Sequence, residues 1–203
     1  MKFFDLHCDT IGECYLQKQP LYRNHLHLDL SRGAEFSAWT QCFAIWIPDE
    51  IRGQQALDYF KAVHQTYERE CTQNKMLVTP CIENDDFVRA ERLGACGAVL
   101  TVEGGAVLGG NLENISYLAS CGVRKLTLTW NGTCEFGDGA MVTHPKGLTK
   151  FGRQAIPKLE QHRIVVDISH ASEPLFYDVA EIANRPLVAS HSNAKAVCNH
   201  PRK

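Results

Sequence analysis

Short apolar runs alternate with helical stripes along the whole chain. The runs predict strands over Phe3–Asp9, Gln41–Ile47, Ala98–Glu103, Arg124–Trp130, Ile164–His170 and Leu187–His191. Between them, Ala56, Phe60, Val63, Tyr67 and Cys71 recur at the three-and-four spacing of one helix face. Leu112, Ile115, Leu118 and Ala119 form a shorter stripe that Gly122 closes. Leu175, Val179 and Ile182 form a third, with Ser172 placed to cap it and Pro174 in its first turn. Pro157 falls inside the Gln154–His162 pattern and predicts a kink or a late start there. Strands that alternate with helices imply a parallel sheet with βαβ crossovers. Six such strands in 203 residues fit a single domain, either an open doubly wound sheet or most of a barrel that ordinarily takes about 250 residues.

Composition narrows the function. Hydrophobic residues at 44% and charged residues at 22% exclude a disordered or fibrous chain. With 21 basic against 23 acidic residues, the net charge is −2, and no basic surface for nucleic acid is expected. No apolar run approaches the ~20 residues of a spanning helix, and no leader pattern precedes Phe3, so a cytoplasmic protein without membrane contact is expected. The nine cysteines are odd in number and include no Cys-x-x-Cys pair. They read as buried small hydrophobes of a reducing compartment.

The chemistry lies at the strand ends. Four of the six runs finish in metal-ligand residue types: His7 and Asp9, Glu103, His170, and His191. In a parallel sheet all carboxyl ends lie on one side, and His7 and Asp9, two apart, share a strand face. Imidazole and carboxylate suit zinc and its neighbours. Five such groups exceed the needs of one tetrahedral ion, and a shared carboxylate can bridge two. Ligands facing each other around a rim favour the barrel over an open sheet. His25, His27, His64, His144, His162 and His200 fall on loops or helix patterns and read as structural.

Those residues sit in motifs that resemble the membrane (renal-type) dipeptidase family. They are Asp5-Leu-His7-Cys-Asp9, Thr101-Val-Glu103-Gly-Gly105, Leu126-Thr-Leu-Thr-Trp-Asn131, Gly147 through Arg153, Asp167-Ile-Ser-His170 and Ser190 through Arg202, in family order. The resemblance implies an α/β fold: a TIM-like (β/α)8 barrel, here truncated after about six βα units, with residues 1–203 as one incomplete metal-dependent hydrolase domain. It implies two zinc ions and hydrolysis of dipeptides, including some with a D-residue at the carboxyl end. By motif, His7 and Asp9 bind the first ion, Glu103 bridges both, and His170 and His191 bind the second. Arg202 matches the arginine that grips the substrate carboxylate. The family often pairs its barrels, which suggests a homodimer.

Two departures from the family pattern stand out. Trp130 occupies the position where the animal enzymes carry a substrate-contacting histidine, and Cys134 replaces an asparagine. The family's proton-shuttle aspartate comes from an eighth strand, so it is expected to be absent from this chain. Two alternatives accompany the dipeptidase expectation. One is a catalytically inactive metal-binding fragment. The other is a different binuclear amidohydrolase, disfavoured because those commonly carry His-x-His on the first strand and a modified lysine on the fourth. Asp5 and Asp167 precede ligands by two and three residues, and either a ligand-supporting or a barrel-layer role is open to them.

Overall fold

The computed structural model describes residues 1–202. The chain forms two compact units, Met1–Trp46 with Lys61–Thr101, and Ile47–Phe60 with the residues from Val102 onward.

In the first unit, β1 (Lys2–Cys8) pairs in parallel with β2 (Ala38–Trp46). Their register runs from Asp5 opposite Gln41 to Cys8 opposite Phe43, so three steps along β1 match two along β2. That β-bulge falls on Leu6 and His7 and turns the strand just before its functional end. Helix α1 (Thr10–Gln17) follows at once, then the short α2 (Leu30–Gly33). Asp29 caps α2, taking hydrogen bonds from the Arg32 N–H and the Ser31 hydroxyl. Helix α3 (Gly53–Gln73), which belongs to this unit only from Lys61 on, carries the predicted stripe, and all five stripe residues are buried. Strand β3 (Val78–Pro80) pairs in parallel with β4 (Cys96–Glu103), and α4 (Asn84–Leu93) connects them. Asp86 accepts from the Glu83 N–H at the start of α4, and Gly94 closes it at a left-handed φ of 64°. Every residue of β4 is buried, as its nearly unbroken apolar run requires of a strand covered on both faces.

The second unit begins at the carboxyl end of β4. A 3-10 turn (Gly105–Leu108) and α5 (Glu113–Ser120) lead to β5 (Val123–Thr127), and a small hairpin of β6 (Thr133–Cys134) and β7 (Gly137–Asp138) follows. Helix α6 (Lys150–Gln161), β8 (Val165–Asp167) and α7 (Glu173–Ile182) complete it, with β8 parallel to β5. The Ser172 hydroxyl accepts from the Leu175 N–H at 3.4 Å, the cap expected from the sequence.

Several boundaries differ from expectation. Helix α6 runs through Pro157 and starts early, at Lys150, because the Thr149 side chain caps it by accepting from the Gly152 N–H. Strand β5 stops at Thr127 and β8 at Asp167, leaving Trp130 and His170 in loops. The Leu187–His191 run is reduced to a single bridge between Val188 and Asp167. The reason is local: Pro186 has no N–H, and side chains take those of Ser190 and His191. Strand β3 and helices α1 and α4 were not anticipated. All nine cysteines are free, five of them buried, and burial pushes the Cys71 and Cys81 thiols up to about 12. Among the described residues, no helix is long and apolar enough to cross a membrane.

Candidate metal centre

In the first unit, the bulge in β1 brings His7 to the strand end with its side chain only 10% exposed. Asp9 lies just past the strand, at the N-cap position of α1, where its carbonyl accepts from the Glu13 N–H. The two side chains meet, His7 Nε2 to Asp9 Oδ1 at 3.4 Å, although Asp9 lies beyond the strand whose face the sequence assigns it. Asp5 is tied down from β2, accepting from the Gln41 amide at 2.9 Å, and it also accepts from the His7 N–H. Asp5 therefore braces the bulged backbone that carries His7.

In the second unit, Glu103, His170 and His191 converge. Glu103 ends β4, held by its carbonyl accepting from the Ile47 N–H at 2.8 Å. Gly104 follows at a φ of 111°, a turn a side chain would strain. His170 takes a left-handed φ of 66°, and its carbonyl accepts from the Ala140 N–H at 2.8 Å. Non-glycine residues rarely adopt this conformation, so the surrounding structure must hold it. Its Nε2 lies 2.9 Å from Glu103 Oε1, while His191 Nε2 lies 3.2 Å from the same oxygen. The two imidazole Nε2 atoms are 2.9 Å apart. Glu103 and His170 side chains are each 4% exposed, and that of His191 is 25% exposed.

Each imidazole is oriented from behind. His170 Nδ1 lies 2.9 Å from Asn131 Oδ1, and His191 Nδ1 lies 2.8 Å from Ser190 Oγ. Gly139 packs against the Trp130–Asn131 backbone so closely that a Cβ there would sit 2.2 Å from the Trp130 carbonyl oxygen. Beneath lies Asp167, fully buried, which accepts from Lys125 Nζ at 2.7 Å and the Thr127 hydroxyl at 2.8 Å. Burial alone would raise the Asp167 carboxyl, but the Lys125 ammonium and these hydrogen bonds hold it well below the usual carboxylate range. Burial pushes His170 below its ordinary value despite the opposing pull of Glu103, which keeps its imidazole neutral and able to ligate.

The two remaining expected site residues are Trp130 and Arg202, of which Arg202 lines a separate cavity with Ile168, Phe176 and Tyr177. The Trp130 ring sits 6.3 Å from that of His170, and the Arg202 charge acts on His170. Sequence reasoning assigned no role to Asn131, Ser190 or Lys125. Lys125, on the strand between Val123 and Leu126, was the readable signal of a buried partner.

The profile of the membrane dipeptidases, peptidase family M19, matches residues 1–203. The chain belongs to this family. It is 28% identical to human dipeptidase 3 over 83% of its own length and 34% of that protein's. An uncharacterized protein of Acinetobacter calcoaceticus, from the PQQ-III 3′ region, is 27% identical over 98% of this chain and 73% of that one. Among solved structures, the metallopeptidase dipeptidase AC of family M19 superposes with a TM-score of 0.91 at 26% identity, covering all of this chain and 66% of that one. The expected fold class is borne out: an α/β fold matching the TIM-like barrel of the M19 dipeptidases over part of its length. The family is one of metallopeptidases, and the clustered histidines and glutamate supply donors a divalent ion takes.

Proposed function

We propose that this chain carries the ligand set and the substrate anchor of a zinc-dependent dipeptidase with two ions per complete site. The observation that supports it best is the triangle of Glu103 Oε1, His170 Nε2 and His191 Nε2, with edges of 2.9, 2.9 and 3.2 Å. Zinc bonds of about 2.0–2.1 Å at tetrahedral angles put neighbouring donor atoms roughly 3.3 Å apart. The donor set therefore fits the ion with shifts of a few tenths of an ångström. Three acceptor-type atoms gathered this closely also repel one another unless a cation lies among them.

In this reading His170 and His191 hold one ion and His7 and Asp9 the other, with Glu103 shared. The β1 pair is assigned on the family resemblance. When bound, the ions would acidify a water towards a pKa of ~7 and polarise the scissile carbonyl. The chain's own residues supply the rest. Arg202 offers paired N–H donors to the dipeptide's terminal carboxylate, and its Nε is a buried donor with no hydrogen-bond partner within the described residues. Trp130 sets an indole ring beside His170, with an N–H donor but no group that titrates near neutral pH. The substrate is a dipeptide, with a D-residue at the carboxyl end among those accepted, and the protein is cytoplasmic and pairs as a homodimer.

Metal content per chain by elemental analysis, with turnover of L-Ala-D-Ala and L-Ala-L-Ala on the same sample, tests this. Two zinc ions with turnover is the expected result. Two ions without turnover would favour the inactive metal-binding reading, and no bound metal would overturn the site. Replacing Arg202 with Ala should raise KM with little change in zinc content; an unchanged KM would sink its role.

A further inference from the structure

We propose that Ser190 is the positioning residue for His191: it accepts the Nδ1 proton, and so turns the bare Nε2 towards the metal. The inference rests on the metal-centre reading above and adds the device that prepares one of its ligands.

His170 and His191 both aim Nε2 at Glu103, yet different kinds of group stand behind them. Asn131 Oδ1, behind His170, is an amide oxygen that can only accept. It requires the proton on Nδ1 and leaves Nε2 as a lone pair. Ser190 Oγ, behind His191, is a hydroxyl that could equally donate to Nδ1 and force the proton onto Nε2. A serine alone would leave the tautomer undecided.

Asp167 decides it. Ser190 Oγ lies 2.5 Å from Asp167 Oδ2, and a carboxylate can only accept, so the single hydroxyl proton is committed there. The remaining lone pairs of Ser190 Oγ then face His191 Nδ1 at 2.8 Å and the Ser169 hydroxyl at 3.3 Å, and both must act as donors. Ser169 Oγ in turn accepts from the His191 N–H at 3.1 Å, consistent with its proton pointing to Ser190. The Ser190 N–H bonds Asp167 Oδ1 at 3.1 Å and fixes the residue's backbone as well. Lys125 and Thr127 occupy the other approaches to Asp167 Oδ2 and keep the carboxylate in place. With the Ser190 hydroxyl proton committed to Asp167, the Nδ1 proton of His191 is held by Ser190, and a neutral His191 ring then presents its lone pair on Nε2. Partners that fix the ring orientation of a metal-bound histidine in this way typically influence affinity 10–100-fold.

The test uses the whole chain labelled with 15N-histidine, with long-range 1H–15N correlation spectra of the metal-free protein and titration with Zn2+ alone. In the unaltered protein His191 should show protonated Nδ1 and bare Nε2. Ser190→Ala should shift His191 towards the Nε2–H form and weaken one class of Zn2+ site about 10–100-fold. His170, held by Asn131, should keep its tautomer and serve as the internal control. Ser190→Thr retains the hydroxyl and should restore both the tautomer and the affinity. Thermal melts of the metal-free variants identify any loss that comes from misfolding, in which case the Thr variant decides. A protonated Nε2 in the unaltered protein overturns the proposal, as does a Ser190→Ala variant with unchanged tautomer and Zn2+ affinity. A tautomer shift with no Zn2+ bound by any variant overturns the metal-centre reading itself, and with it the role of Ser190 toward a metal.

Discussion

The two units hold their chemistry in different ways. In the first, His7 and Asp9 meet at 3.4 Å, and Asp9 is half exposed at the N-cap of a helix. Their support is a braced strand bulge, with Asp5 tied to Gln41. In the second, Glu103 and His170 are almost wholly buried, and a charged network centred on Asp167 underlies them. An exposed contact of the first kind contributes little to stability, generally under about 1 kcal/mol. A buried ion pair such as Lys125–Asp167 is different, because removing one partner strands the other charge in the core. The contrast teaches that stability and metal affinity should come apart in one unit and travel together in the other.

The sharpest break of that contrast is Asp167→Ala. It strands Lys125 and should cost roughly 3–5 kcal/mol in urea unfolding at pH 7. Adding Lys125→Met should recover a substantial part of the loss, and no recovery would refute the stranded-charge explanation. Next comes Glu103→Gln, which on the bridging role proposed for it should lower Zn2+ affinity at both sites together by at least the roughly 100-fold that a supporting partner can contribute. Two tightly held ions in this variant would sink the bridging role proposed for Glu103.

Asp29→Ala probes the first unit away from its site and should cost about 2 kcal/mol. Burial works to raise the Asp29 carboxyl, but the Arg32 and Asn24 N–H groups, the Ser31 hydroxyl and the Arg32 side chain bring it down to about 2. A folded-state value below the unfolded one stabilises at pH above the unfolded value near 3.9, and that contribution fades as pH falls towards the folded value. The gap in stability between the unaltered protein and this variant should therefore be complete at pH 7 and close between about pH 4 and pH 2. A constant gap across that range would exclude the linkage. The smallest expected effect is on folding in Asp9→Asn, within about 0.5 kcal/mol of the unaltered protein, while its metal content falls. A large loss of stability there would erase the contrast between the units.

Much of this was legible in the sequence, and the misses have physical causes. The α3 stripe, the Ser172 cap and the ligand types at strand ends all follow from local pattern. Strand β3 escaped because three residues ending in proline give no periodicity to detect. Helix α4 is mostly polar and announces itself through its terminal contacts rather than its stripe. The overlong readings of β5 and β8 share one origin: both apolar runs continue past the point where polar side chains capture the backbone. At β8, Asp167 accepts from the Ser169 N–H, an Asx-type turn that ends the strand while its other oxygen serves Lys125 and Ser190. The expected ligand types could be read from the chain, but their supports could not, since Asn131 lies far in sequence from His170, and Ser190, though next to His191, depends on the distant Asp167.

The left-handed backbone at His170 limits how the centre could be re-engineered. Among residues that can ligate a metal, histidine, aspartate and asparagine enter this conformation far more readily than others. Converting the position to a thiolate, the obvious route to a softer ion, would set the preference of the metal against that of the main chain. An aspartate would meet no such conflict. Variants aimed at harder, oxygen-seeking ions should therefore be easier to obtain at this position than variants aimed at thiophilic ones.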